Sequence, residues 1–105
     1  MAWIYLLIAG LFEIGWPLGF KLSTQSTNKF WGLTLAVLSM ALSGFFLWLA
    51  QKEIPIGTAY AIWTGIGAGG TFIIGILLFK DSADILRLIS FFLIIVGIIG
   101  LKLTS

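Results

Sequence analysis

The stretch AWIYLLIAGLFEIGWPLGF, residues 2–20, decides the fold of this chain: it is an uncharged apolar run except for Glu13, near its middle. A run of this length matches the ~20 apolar residues with which a helix crosses a ~30 Å hydrocarbon core. A charged carboxylate at that depth costs about 2.5–3.5 kcal/mol on insertion scales, and such groups usually face a pathway or a cavity rather than lipid. Two readings of Glu13 follow from the residues alone. It is a cation or proton site, or it is a protonated carboxyl that hydrogen-bonds a neighbouring helix as structural glue.

The remaining sequence has the same character. Of its 105 residues 60% are hydrophobic and only 10% charged, and the mean hydropathy is +1.14. This places the chain among integral membrane proteins, with room for about four spans of ~20 residues and for no soluble domain. Residues 1–105 therefore read as one transmembrane domain.

The first run extends from Trp3 to Phe20 and is closed by Lys21, after which Ser23 to Asn28 form a polar connection. The second, Phe30 to Gln51, is closed by Lys52 and Glu53; the third is Ile54 to Phe79; the fourth, Ile85 to Leu103, has Arg87 and Lys102 near its ends. The third exceeds what the hydrocarbon core requires and must tilt, kink or protrude. Links this short predict an all-α membrane protein, a four-helix up-and-down bundle with both termini on one side. The first run lacks a basic flank before it, so it reads as a retained span and not as a cleaved signal.

Six basic and four acidic side chains leave a net charge of +2. All but Glu13 lie at or near the ends of the runs, as interfacial anchors in a lipid bilayer and not as a nucleic-acid surface. The chain has no Cys and no His. That excludes thiol chemistry, disulfides and most transition-metal sites. No nucleophile and base accompany the lone membrane carboxylate, so neither an enzymatic activity nor a cofactor is expected. Lys21, Lys29, Lys80 and Arg87 fall on one side, against Lys52, Lys102 and the terminal amine on the other. This near balance gives orientation little bias, and two oppositely inserted copies would supply the inverted repeat that alternating access commonly uses.

Helical spacing gathers the candidate site residues. Gly10, Glu13, Trp16 and Pro17 form one stripe of the first span. Pro17 lacks the N–H that would bond the carbonyl of Glu13, which frees a backbone acceptor there, or it merely kinks the helix. On the second span Ser39, Ser43 and Phe46 share a face, where Ser43 is placed to donate to a carboxylate or to serve as a packing contact. On the third, Tyr60, Trp63 and Gly67 share a face, and both aromatics fall well inside the run, favouring a cavity wall over an interfacial belt. The cluster Gly65, Gly67, Gly69 and Gly70 suggests close helix contact and a bendable point. No Gly-Lys-Ser/Thr follows it, so it is not a phosphate loop. Gly97 and Gly100 form a small-residue face on the fourth span, most simply a dimer contact.

Glu13 with Trp16 three residues later and Lys21 closing the span, the stretch PIGTAYAIWTGIG from Pro55 to Gly67, and the ending GIIGLK from Gly97 to Lys102 closely resemble the small multidrug resistance family. The likeness covers essentially the whole chain, and Trp16 resembles the guanidinium exporter branch, where the quaternary ammonium branch typically has Gly. The resemblance implies an antiparallel, dual-topology homodimer in a prokaryotic plasma membrane, exchanging protons for a small cation at its two Glu13 carboxylates. It further implies Trp16 and Ser43 as hydrogen-bond partners of Glu13, and Tyr60 and Trp63 as aromatic walls and gate. Other functions weighed on the residues are export of quaternary ammonium or polyaromatic cations, and a non-transporting structural membrane partner.

Overall fold

A computed structural model describes residues 1–25 and 29–104, which form α1 (Ala2–Gln25), α2 (Lys29–Ala50), α3 (Ile56–Phe79) and α4 (Ile85–Leu103), with no strand among the described residues. All four helices are long and apolar enough to cross a membrane. The protomer measures 45 × 34 × 16 Å, so it is about twice as broad as it is thick. Its helices form a flattened array: α1 packs against both α2 and α3, α2 and α3 meet at few points, and α4 packs on α3. Lys102 lies over the ring of Trp3, 5.0 Å from its centroid, which puts both ends of the chain at the same end of the array.

Small side chains make the interior. In hydrocarbon there is no hydrophobic force pulling one apolar helix onto another, so association depends on close packing and interhelical hydrogen bonds. The seam of α1 and α2 is built accordingly. A Cβ on Gly19 would meet the backbone of Ala36 and Gly32 at 2.6 Å, and one on Gly32 would meet the Ser23 nitrogen at 2.6 Å. Further along, Gly15 receives the side chain of Ser39. Most large apolar residues point outward instead, as Phe30, Trp31 and Leu77 do. A small cluster of Ala2, Leu6, Ala50, Ile54, Ala59 and Ile62 closes the end where α1 and α3 begin and α2 finishes.

The helix ends differ from the apolar runs in instructive ways. α1 continues through Ser23, Thr24 and Gln25, which the polarity of the segment assigns to the connection. The hydroxyls of Ser23 and Thr24 donate to the carbonyls of Phe20 and Lys21, each at 2.7 Å, so polar side chains are satisfied within the helix. The rest of that expected connection, Ser26, Thr27 and Asn28, lies outside the described residues. α3 begins two residues inside its run because Pro55, with ψ of 143°, holds the N-cap in extended backbone. α2 ends at Ala50, and Gln51 to Glu53 form a tight turn in which Lys52 lies 4.3 Å from the Trp48 ring centroid. Asp84 caps α4 by accepting from the Arg87 backbone N–H at 3.0 Å, and that bond holds its carboxyl below the ordinary carboxylate value.

Candidate functional site

Glu13 sits half-buried on the face of α1 that meets α3. Its floor is Gly67: a Cβ there would lie 2.5 Å from Cγ of Glu13. The same register seats Ile66 in the notch at Gly10 and Ile14 against Gly70, so side chains of each helix fill glycine notches of the other. Glu13 thus rests on bare α3 backbone, which fixes where its carboxyl can lie.

Ser43 joins the three inner helices. It is fully buried, because the glycine seam lets α2 approach α1 closely, and its Oγ stands 2.8 Å from the Ala9 carbonyl and 3.3 Å from Oε1 of Glu13. From α3, the indole N–H of Trp63 donates to Ser43 Oγ at 2.7 Å. A serine hydroxyl has one hydrogen and two acceptor sites. With Trp63 as a donor, Ser43 gives its hydrogen either to Ala9 or to Glu13. A carboxylate favours the second arrangement. A protonated Glu13 donates to Ser43 instead, while Ser43 donates to Ala9, so the same three groups serve both forms of the acid.

Aromatic side chains surround this network. Trp63 pairs with Tyr60, ring centroids 5.4 Å apart, and Tyr60 is largely exposed. Trp16 lines one cavity with Glu13, Pro17, Thr64, Gly67, Ala68 and Thr71, of about 290 Å³. Its indole packs edge-on against Phe20 at 5.7 Å and makes no hydrogen bond to Glu13 among the described residues. Phe46, on the face of Ser43, lies 6.1 Å from both Tyr5 and Phe12. Gly65 receives Ile98 of α4, whereas Gly97 and Gly100 have nothing within 4 Å.

The structure therefore brings Glu13, Ser43, Trp63 and Gly67 together, sets Trp16 and Pro17 at the cavity wall, and leaves Gly97 and Gly100 bare on α4. No cluster of metal-ligating residues occurs among the described residues. Sequence reasoning passed over Gly15, Gly19, Gly32 and Ala36, which bring Ser43 to α1. Their signal is the four-residue spacing of small residues, Gly15 to Gly19 and Gly32 to Ala36, each one turn apart on a helix face.

Comparison with known proteins agrees with this architecture. Residues 1–94 match the family model described as Small Multidrug Resistance protein. A guanidinium exporter of Yersinia pseudotuberculosis is 50% identical over 105 residues, the full length of both chains. A guanidinium exporter of Proteus vulgaris is 51% identical over the full length of both, and one of Escherichia coli K12 is 48% identical over all of this chain and 99% of its own. Four spanning helices and these relatives make it a multi-pass protein of the prokaryotic cell membrane. With its full-length likeness and a lone carboxylate set among four apolar helices, the chain belongs to the small multidrug resistance family.

Proposed function

We propose that this protein exports guanidinium or substituted guanidinium ions in exchange for protons, using Glu13 as the shared site. The observation that carries this reading is the single carboxyl at the centre of α1, whose hydroxyl partner Ser43 accommodates both its ionised and its protonated form. A carboxylate within a membrane requires a compensating positive charge. A proton or a cation supplies it, and the occupancy of one excludes the other, so each drives the other across. Guanidinium is the suited cation because its planar N–H donors match carboxylate oxygens and its face stacks on an aromatic ring such as Trp16. The names of the relatives support the same substrate class.

The working unit in this reading is an antiparallel homodimer. Its support is a flattened protomer that leaves Glu13 half-exposed, an α4 with no buried residue, and a near balance of positive charge between the two ends. A second copy inserted the other way brings a second Glu13 to the same cavity.

The test is proton-coupled transport in proteoliposomes. Glu13→Gln keeps size and hydrogen bonding but cannot exchange a proton, so it inserts normally and loses guanidinium-driven proton movement. Retention of coupled transport overturns the assignment of the site. A strong tetraalkylammonium current with none from guanidinium in the parent protein turns the substrate assignment toward quaternary ammonium export.

A further inference from the structure

Beside the cavity at Glu13, toward the end of the array where α1 and α3 finish, the two helices bound further space. A second cleft, of about 220 Å³, has Pro17, Lys21, Thr71, Gly75, Phe79 and Asp81 in its lining. It shares Pro17 and Thr71 with the cavity that contains Glu13, so the two adjoin. The walls repeat at four-residue steps, which keeps each set on one helix face. Glu13, Pro17 and Lys21 form the α1 wall; Gly67, Thr71 and Gly75 form the α3 wall. Two helical turns, ~11 Å, separate the site from the mouth.

Polar groups mark this groove along its length. Pro17 has no N–H for the carbonyl of Glu13, which leaves that oxygen without its helical donor. The hydroxyls of Thr71, half-buried where the two cavities adjoin, and of Thr64 in the Glu13 cavity make no hydrogen bond among the described residues, whereas Ser23, Thr24 and Ser90 each donate to a carbonyl of their own helix. Hydroxyls in hydrocarbon ordinarily satisfy themselves in that way. At the mouth, Lys80 takes the left-handed conformation, φ 58°, and the Asp81 N–H bonds back to the Gly75 carbonyl at 3.0 Å. This reversal folds the Asp81 carboxylate onto Gly75, where a Cβ would collide with it. Lys21 lines the same mouth, with its ammonium 5.9 Å from the Phe79 ring centroid.

Resting on the transport reading, we propose that the groove between α1 and α3 is the water-filled passage by which the cation reaches Glu13, and that Asp81 is an outer cation-binding station at its mouth. The freed Glu13 carbonyl and the Thr71 hydroxyl offer the cation's N–H groups acceptors between the two carboxylates. Lys21 keeps the mouth from becoming a trap, since conduction requires a station that attracts the ion yet releases it.

The experiment uses full-length protein in proteoliposomes, whose sequence contains no native Cys. A positively charged, water-soluble methanethiosulfonate reagent is applied to Thr71→Cys and to Leu77→Cys, the latter at an outward-facing position of α3. Thiolates form in water and not in hydrocarbon, so Thr71→Cys reacts at least about tenfold faster than Leu77→Cys and is protected by guanidinium. Ala68→Cys, lining the same cavity, serves if Thr71→Cys does not insert. Asp81→Asn raises the guanidinium KM by about three- to tenfold at low ionic strength, with kcat little changed and the effect shrinking as salt is added. A cavity-facing Cys as silent as Leu77→Cys, or an Asp81→Asn variant with unchanged KM, overturns the proposal. Glu13→Gln in parallel separates the two claims: if it abolishes coupling while the Cys stays silent, the passage alone fails; if it retains coupling, the exchange reading fails.

Discussion

Gly67 lies directly against the side chain of Glu13, with only 2.5 Å between Cγ and the position a methyl group on Gly67 would take. The contact joins backbone on one helix to the first methylenes of an acid on another, so neither side has a flexible end to move away. Gly67→Ala therefore displaces the carboxyl from Ser43, at an overpacking cost of about 1–3 kcal/mol. Coupled transport falls by at least about tenfold, because Glu13 can no longer hold its position. Gly44→Ala, where nothing lies within 4 Å, leaves transport unchanged. Cation uptake normalised to inserted protein distinguishes the two.

Ser43 and Trp63 are energetically coupled through the 2.7 Å bond from the indole. Ser43→Ala leaves that half-buried donor without its acceptor, which costs about 1 kcal/mol. Trp63→Phe removes the donor, after which the loss of the Ser43 hydroxyl costs less. A double-mutant cycle on reversible unfolding in mixed micelles shows a coupling of about 1 kcal/mol. Strict additivity contradicts the network.

Trp16 occupies the wall of the Glu13 cavity without bonding the carboxyl within the protomer. Its contribution to substrate choice is then shape and a π face. Trp16→Gly removes the stacking surface and opens volume, so the ratio of guanidinium to tetraalkylammonium current falls by about tenfold, or ~1.4 kcal/mol in relative preference. An unchanged current ratio would assign Trp16 to packing against Phe20 alone.

The bare face of α4 predicts assembly. A Cβ at Gly97 or Gly100 meets nothing within 4 Å and both positions are exposed, so the protomer is expected to tolerate Gly97→Leu and Gly100→Leu. In the proposed dimer the same substitutions push the partner helix away, and cross-linking in membranes drops to monomer. A single Cys at Thr104 labels from both sides of the membrane if copies insert both ways; labelling from one side only contradicts the antiparallel arrangement.

Much of this molecule was legible before its structure. Hydropathy located four spans because crossing a bilayer is a property of each ~20-residue window taken by itself. Glu13 stood out for the same reason, as the one charge in a window that should have none. Helical spacing then placed Gly10 and Pro17 on its face and grouped Ser43 with Ser39 and Phe46 on one face of the second span. The helical state of Ser23 to Gln25 was not legible, since polarity gives no sign that hydroxyls will turn back onto their own carbonyls.

The sequence by itself determined that the chain is a four-span membrane protein with one acid at membrane depth. Only the tertiary structure decided what that acid touches. Ser43 reaches the Ala9 carbonyl across 34 positions of chain and receives Trp63 across 20, and the meeting depends on Gly15, Gly19, Gly32 and Ala36 letting two backbones approach. The cleft lined by Lys21 and Asp81 likewise requires the register of α1 on α3 and the left-handed turn at Lys80. The physical reason is that insertion into a bilayer is decided helix by helix, whereas a site forms from the complementarity of faces far apart in sequence, which no window along one helix contains.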